Sequence, residues 1–299
     1  MPPAPRTSSK AANKAGEAGS ASKVSAASKA GAARPPAPII AFANFKGGVG
    51  KTTTVVNVAA CLAELGHRVL VVDLDAQANA TAALFLRGFT THTVGDWLLG
   101  GGHDAAAIRP WVAPPEAGPP ALHLHVLPAH VLLADQEEEL RQRPAYEQLL
   151  ARALAPLASA YDYILLDCPP SIGPMTRMAL CAATAYVVPC LAEKFSFDGL
   201  RLITQLAAGV ASRHNAALRL AGIVFTQYHP GVRNNLHQDV VLATEHVYGA
   251  AALLPPIRKD VALAQAQRRG LLALHFKPDS NAVADYRTLT HALLAALAA

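Results

Sequence analysis

The 299-residue chain is predicted to fold as an α/β domain with a doubly wound, mainly parallel sheet flanked by helices, and three observations lead there. Short apolar runs rich in Val, Leu and Ile alternate with segments of helical periodicity. The first run is followed at once by a glycine-rich turn and a helix. Acidic residues close two of the later runs. Strands alternating with helices imply right-handed crossovers, and such a sheet gathers its ligands at the carboxyl ends of its strands.

The elements follow in order. Residues 1–37 are mostly Ala, Ser, Pro, Gly and Lys, with too little apolar surface to offset the entropy of ordering, so a disordered tail is expected ahead of a domain over 38–299. Arg6, Lys10, Lys14, Lys23, Lys29 and Arg34 against Glu17 give that tail the whole formal excess of +5, leaving the remainder neutral. Spaced cations on a flexible segment suit sequence-independent contact with nucleic-acid phosphates, and they equally suit a solubilising extension.

Residues 39–43 read as the first strand. The turn Lys46-Gly47-Gly48-Val49-Gly50-Lys51-Thr52-Thr53 can point successive backbone N–H groups at phosphate oxygens, because residues without Cβ reach positive φ and admit a close ligand. In that arrangement Lys51 meets the β- and γ-phosphates and Thr52 offers a hydroxyl to Mg²⁺. The pattern G-x-x-x-x-G-K-[ST] wants a glycine where Phe45 stands, and a second lysine, Lys46, sits beside it. Val55, Val58, Ala59, Leu62 and Leu65 then recur at helical spacing up to Gly66.

Five more strands are expected at 68–74, 122–127, 161–166, 185–190 and 218–226, with helical patterns around 130–158, 174–183, 197–213 and 235–248. The Gly/Pro-rich stretch 100–120 reads as a variable loop. Asp73 and Asp75 close the second strand and Asp167 the fourth. Carboxylates at neighbouring strand ends can hold Mg²⁺ through its waters and orient a water for attack on phosphorus. Asp167 fits the first role and Asp75 the second, with Asp73 sharing its face.

The segments 46–54, 72–81 (Val-Asp-Leu-Asp-Ala-Gln-Ala-Asn-Ala-Thr) and 166–171 (Leu-Asp-Cys-Pro-Pro-Ser) resemble the three nucleotide motifs of ParA-type ATPases, deviant P-loop NTPases that partition bacterial plasmids, chromosomes and other cargo. The similarity extends through 193–200, 228–236 and 257–266, with Tyr286 in the last helix. It implies ATP and Mg²⁺ as ligands and a role for each site residue. Lys46 would be the signature lysine reaching a partner's nucleotide in an ATP-sandwiched homodimer. Lys51 and Thr52 would bind phosphate and metal. Asp75, 24 positions after Lys51, would position the attacking water, Asp167 would hold the metal's water shell, and Asp73 would support them. Ala76 and Ala78 stand where the family usually has proline and glycine.

The resemblance also implies nonspecific DNA as a partner, with Arg201, Arg213, Arg219 and Arg233 as candidates, and release by hydrolysis that a ParB-like or other protein stimulates. Alternatives are a positioning ATPase for a protein cargo and a MinD-like membrane-cycling ATPase. The latter needs a basic amphipathic C-terminal helix, and residues 289–299 contain no Lys or Arg. A redox relative with cysteine ligands is disfavoured because Cys61, Cys168, Cys181 and Cys190 lack C-x-x-C spacing and read as reduced core residues. His123 and His125 share a strand face, as a metal pair or as ordinary strand residues. With neither a secretory signal nor a membrane span in the sequence, a cytoplasmic, nucleoid-associated protein is expected.

Overall fold

In the computed structural model residues 35–84, 92–113, 122–193, 196–228 and 235–299 are described. An eight-stranded sheet forms the centre, in the order β3-β4-β2-β5-β1-β6-β7-β8. Its strands are β1 (Ile39–Phe42), β2 (Val69–Asp73), β3 (Arg109–Pro110), β4 (Leu124–Leu127), β5 (Tyr163–Asp167), β6 (Ala185–Leu191), β7 (Arg219–Thr226) and β8 (Leu253–Leu254). All pairs are parallel except β3 with β4. The expected fold is therefore the one observed, with two short edge strands added. Arg109 and Pro110 pair only at the edge, inside the stretch read as a loop, where a proline's missing N–H costs the ladder little.

The helices are α1 (Lys51–Glu64), α2 (Asn79–Leu84), α3 (Val94–Leu99), α4 (Leu133–Arg141), α5 (Leu149–Leu154), α6 (Pro174–Ala182), α7 (Ser196–Arg213), α8 (Asn235–Tyr248), α9 (Val261–Arg268), α10 (Ala273–Phe276) and α11 (Asn281–Ala298). The two-residue period of the strands splits the core between two faces. Ile40, Phe42, Val69, Val71 and Leu165 point to the face covered by α1, α2 and α11, where Leu62, Leu84, Tyr286 and Leu293 are buried. Ala41, Leu70, Val72, Ile164 and Leu166 point to the other, against Leu133, Leu150, Met178, Ile203 and Val240 of α4 to α8. This double burial explains why the strands read as unbroken apolar runs.

The helical pattern over 130–158 is not one helix. It divides into α4, a 3₁₀ turn at Tyr146–Gln148, α5 and a 3₁₀ turn at Ala155–Leu157. Pro144 and Pro156 cannot donate to a helical ladder, and Ala145 turns the chain at φ 52° between the halves. Gly66, at φ 88°, ends α1 as its position suggests.

The proposed tail lies outside the described residues except for 35–37, and Ala37 is already buried, its N–H donating to the Ala158 carbonyl at 2.9 Å. All four cysteines are free and buried. His125 Nδ1 lies 2.9 Å from the Tyr161 hydroxyl, and no group of three or more His, Cys, Asp or Glu side chains placed to hold a metal ion occurs among the described residues. Among those residues no helix is long and apolar enough to cross a membrane.

Candidate functional site

The site lies where the strand order reverses. β1 runs between β5 and β6, so the turn leaving it opens between their carboxyl ends, as expected for the ligand crevice of a doubly wound sheet. Gly48 and Gly50 take φ 73° and 80°, and Gly50 serves as the N-cap of α1. A Cβ on Gly50 would also meet Thr226 Cγ2 at 3.4 Å. From the end of β7, Thr226 Oγ1 donates to the Val49 carbonyl at 2.8 Å, and Gln227 Nε2 donates to the Gly48 carbonyl at 3.4 Å. Val49 is buried, Thr52 and Thr53 are half-buried at the start of α1, and Gly47 is exposed. The turn therefore presents the N-terminus of a 14-residue helix to the crevice, with the positive end of its dipole outward.

Lys51 is buried, and its ammonium donates to the Lys46 carbonyl at 3.2 Å. Burial lowers its pKa, while Asp167, Cys168 and Asp75 pull the other way, so these groups surround one cation. Asp167 has no solvent exposure, and neither carboxylate oxygen has a protein hydrogen-bond partner. Desolvation first and the Asp73 charge second push its pKa well up; the nearby Thr52 hydroxyl, outside bonding geometry, and Lys51 oppose them. Stranding a buried carboxylate costs several kcal/mol unless a cation or proton answers it. A hard divalent ion fits this donor set, with Thr52 and Asp167 as the oxygen ligands, directly or through water.

Asp73 differs. It pairs in register with Asp167 across β2 and β5, yet its oxygens are engaged: Oδ2 accepts from Thr81 N–H (2.8 Å) and Oγ1 (2.7 Å), and Oδ1 from Asp75 N–H (3.1 Å). Its role is to hold the start of α2 and the loop before it. Asp75 Oδ1 accepts from Gln77 N–H at 3.0 Å, closing a turn in which Ala78 sits at φ 52°.

Several participants gave no usable signal in the sequence. Asn44 is buried; its Nδ2 donates to the Pro189 carbonyl at 2.8 Å and its Oδ1 accepts from Lys46 N–H at 3.0 Å, which ties the turn to β6. Thr226 and Gln227 brace the glycines from a strand 177 and more residues away. Beside the turn lies a cavity of ≈ 290 Å³, lined by residues that include Gly50, Thr53, Gln227, Ile257, Lys259 and Leu263. Arg258 fixes one wall by a bidentate pair with Asp285 of α11 (2.6 Å at the closest), and its own N–H donates to Asp285 Oδ2.

The arginines expected at a DNA surface are scattered. Arg201 and Arg213 are exposed on α7. Arg219 donates to the Ala296 and Leu297 carbonyls at 2.8 and 2.7 Å, so its guanidinium caps the last turn of α11. Arg233 lies outside the described residues.

A family model described as an AAA domain matches residues 37–220. The chain is 34% identical over 257 residues to the chromosome-partitioning ATPase Soj of Treponema pallidum, covering 86% of this chain and 96% of that one. It is also 34% identical over 252 residues to the sporulation initiation inhibitor protein Soj of Bacillus subtilis, covering 84% and 96%. Among solved structures, a cobyrinic acid a,c-diamide synthase from Mycobacterium smegmatis with bound ATP analog and magnesium superposes with a TM-score of 0.70 at 33% identity, over 86% of this chain and 94% of that one. A putative plasmid partition protein of Borrelia burgdorferi bound to AMPPNP, at 22% identity, shares the fold with a TM-score of 0.72 over 87% and 99%. Matched along most of its length by relatives that carry the same fold, the chain belongs to the ParA family of partition ATPases.

Proposed function

We propose that this protein binds ATP with Mg²⁺, pairs through the bound nucleotide, holds DNA without sequence preference while paired, and is released when a ParB-like partner stimulates hydrolysis. In this reading it positions chromosome or plasmid cargo in the cytoplasm, on the nucleoid. The observation that carries the proposal is Asp167, a fully buried carboxylate with two unpartnered oxygens beside Lys51 and Thr52. That arrangement stabilises the unloaded fold poorly and suits a metal–phosphate ligand well.

The phosphates enter the crevice against the N–H groups of 47–53. Lys51 exchanges the Lys46 carbonyl for the β/γ-phosphates, a stronger acceptor. The base fits the cavity between Gly50 and Ile257. Thr52 and Asp167 would hold Mg²⁺, which when bound would offset the charge that develops on the transferred phosphoryl group. Asp75, at the mouth of β2, orients the attacking water, and Asp73 keeps its loop in register. Lys46, its side chain partly exposed, is the cation that would be offered to a second copy's nucleotide. A cation donated in this way makes ATP part of the interface, so binding drives pairing by mass action and hydrolysis reverses it. Arg201 and Arg213, with Arg233 and the basic tail, are the proposed phosphate contacts to DNA, and they position rather than specify.

Sedimentation of the full chain tests the core of this reading: ATP with Mg²⁺ shifts it to a dimer and ADP does not, whereas a loaded protein that stays single rejects it. On DNA, six tail cations predict a log–log salt slope steeper by about 5 than that of a chain lacking 1–37.

A further inference from the structure

We propose that Glu193 parks the Lys46 side chain within its own subunit, and that this ion pair opposes the pairing of subunits until it opens. The inference rests on the reading of Lys46 as the lysine offered to a second copy. β1 and β6 are adjacent parallel strands, so the segments that leave their carboxyl ends lie side by side. Lys46 is in the first and Glu193 in the second. Across 147 residues of sequence, Lys46 Nζ donates to Glu193 Oε2 at 2.6 Å.

Both backbones are held before the side chains meet. Asn44 accepts from Lys46 N–H, Lys51 donates to the Lys46 carbonyl, and the Glu193 carbonyl accepts from Ser196 N–H at 2.9 Å as α7 begins. Only the two side chains lose freedom on pairing, which lowers the entropic cost of the contact. The pair is also open to water, at 33% and 51% side-chain exposure, so it is the kind of ion pair that breaks readily.

An ammonium bonded to Glu193 cannot at the same time reach a neighbouring copy. Lys51 supplies the link to nucleotide: a phosphate that draws its ammonium away also releases the Lys46 carbonyl, so loading the site loosens the parked residue. Monomers without nucleotide therefore keep the lysine that pairing requires turned onto themselves.

Two measurements on the full chain, wild type against Glu193→Gln, test this. The substitution removes the charge with almost no change of shape. In nucleotide-free protein, limiting acetic anhydride with site-resolved mass spectrometry reads the reactivity of Lys46, which rises about two- to fivefold in the variant, the scale of an exposed ion pair, while exposed Lys259 and Lys277 stay unchanged. With ATP and Mg²⁺, two parked lysines open per dimer, so the dissociation constant read by sedimentation falls about two- to thirtyfold. Unchanged Lys46 reactivity overturns the parking, whatever the pairing does. Weaker pairing of Glu193→Gln overturns the opposition, since the carboxylate then works in the dimer. A wild type that never pairs with ATP overturns the reading of Lys46 on which the opposition rests, and the acylation result still decides whether the ion pair forms.

Discussion

The phosphate turn after β1 and the loop after β2 open at the same end of the sheet, and both need a residue in the left-handed backbone region. The first uses Gly48 and Gly50, at φ 73° and 80°; the second uses Ala78, at φ 52°. For glycine that conformation is nearly free, whereas a residue with a Cβ gives up about 1–2 kcal/mol there. The phosphate turn is thus at rest in the shape that receives its ligand, braced from β7 by Thr226 and from within by Lys51. The loop bearing Asp75 is held against its own preference by hydrogen bonds: Ala78 N–H donates to the Asp75 carbonyl at 2.8 Å, Gln77 N–H donates to the Asp75 carboxylate, and Asp73 grips Thr81. A binding element gains from being preset. A loop that has to let a reaction proceed and then relax gains from a conformation that is only just held.

Substitutions in the two loops should separate these roles. The largest effect belongs to Asp75→Ala, which removes the group proposed to orient water while leaving the phosphate turn intact: steady-state ATP turnover falls by about 10²–10⁴-fold and ATP still binds. Wild-type turnover in that variant would reject the assignment. Lys51→Ala acts on the other loop and strikes affinity instead. Loss of one charged hydrogen bond to phosphate predicts ATP binding about 10- to 150-fold weaker by calorimetry, and an unchanged dissociation constant places the nucleotide elsewhere. Gly50→Ala asks whether the turn depends on its left-handed residue. The strain, added to the contact with Thr226, lowers stability by about 1–2 kcal/mol and Tm by about 2–8 °C in calorimetry. The smallest effect is the mirror experiment, Ala78→Gly. Relief of the same strain, less the entropy a glycine loses on folding, raises Tm by about 1–3 °C. A fall in Tm would mean that the Asp75 loop carries no stored strain.

The sequence made the two loops unequally legible. Three glycines and two lysines in eight residues announce the phosphate turn, because so few backbone shapes tolerate that composition. Asp73, Asp75 and Asp167 were readable as strand-end carboxylates; in the fold Asp75 and Asp167 act on the Lys51 charge, and Asp73 lies beside Asp167. Their division of labour was not readable. Asp73 and Asp167 sit side by side in register, yet only one is satisfied, and the difference comes from Thr81, a residue of α2 that reaches Asp73 alone. Likewise, the periodicity over 130–158 marked a buried face correctly and hid two proline breaks, because period reports burial rather than continuity. Arg219 is an exposed cation, as its sequence suggested, and what no local pattern showed is that its guanidinium also holds the end of α11, 77 residues on.

The chain alone determined the alternation of the six main strands with helices, the left-handed glycines and the kinds of side chain at the strand ends, since these follow from local sterics and from side-chain type. Tertiary structure decided the partners: that β1 lies between β5 and β6, that Asp167 is left with both oxygens unanswered, that Arg258 leans on Asp285 to shape a cavity, and that Lys46 meets Glu193. Those contacts join residues from 27 to 147 positions apart. Their existence depends on the crossovers that bring parallel strand ends together, and no local pattern records which ends those will be.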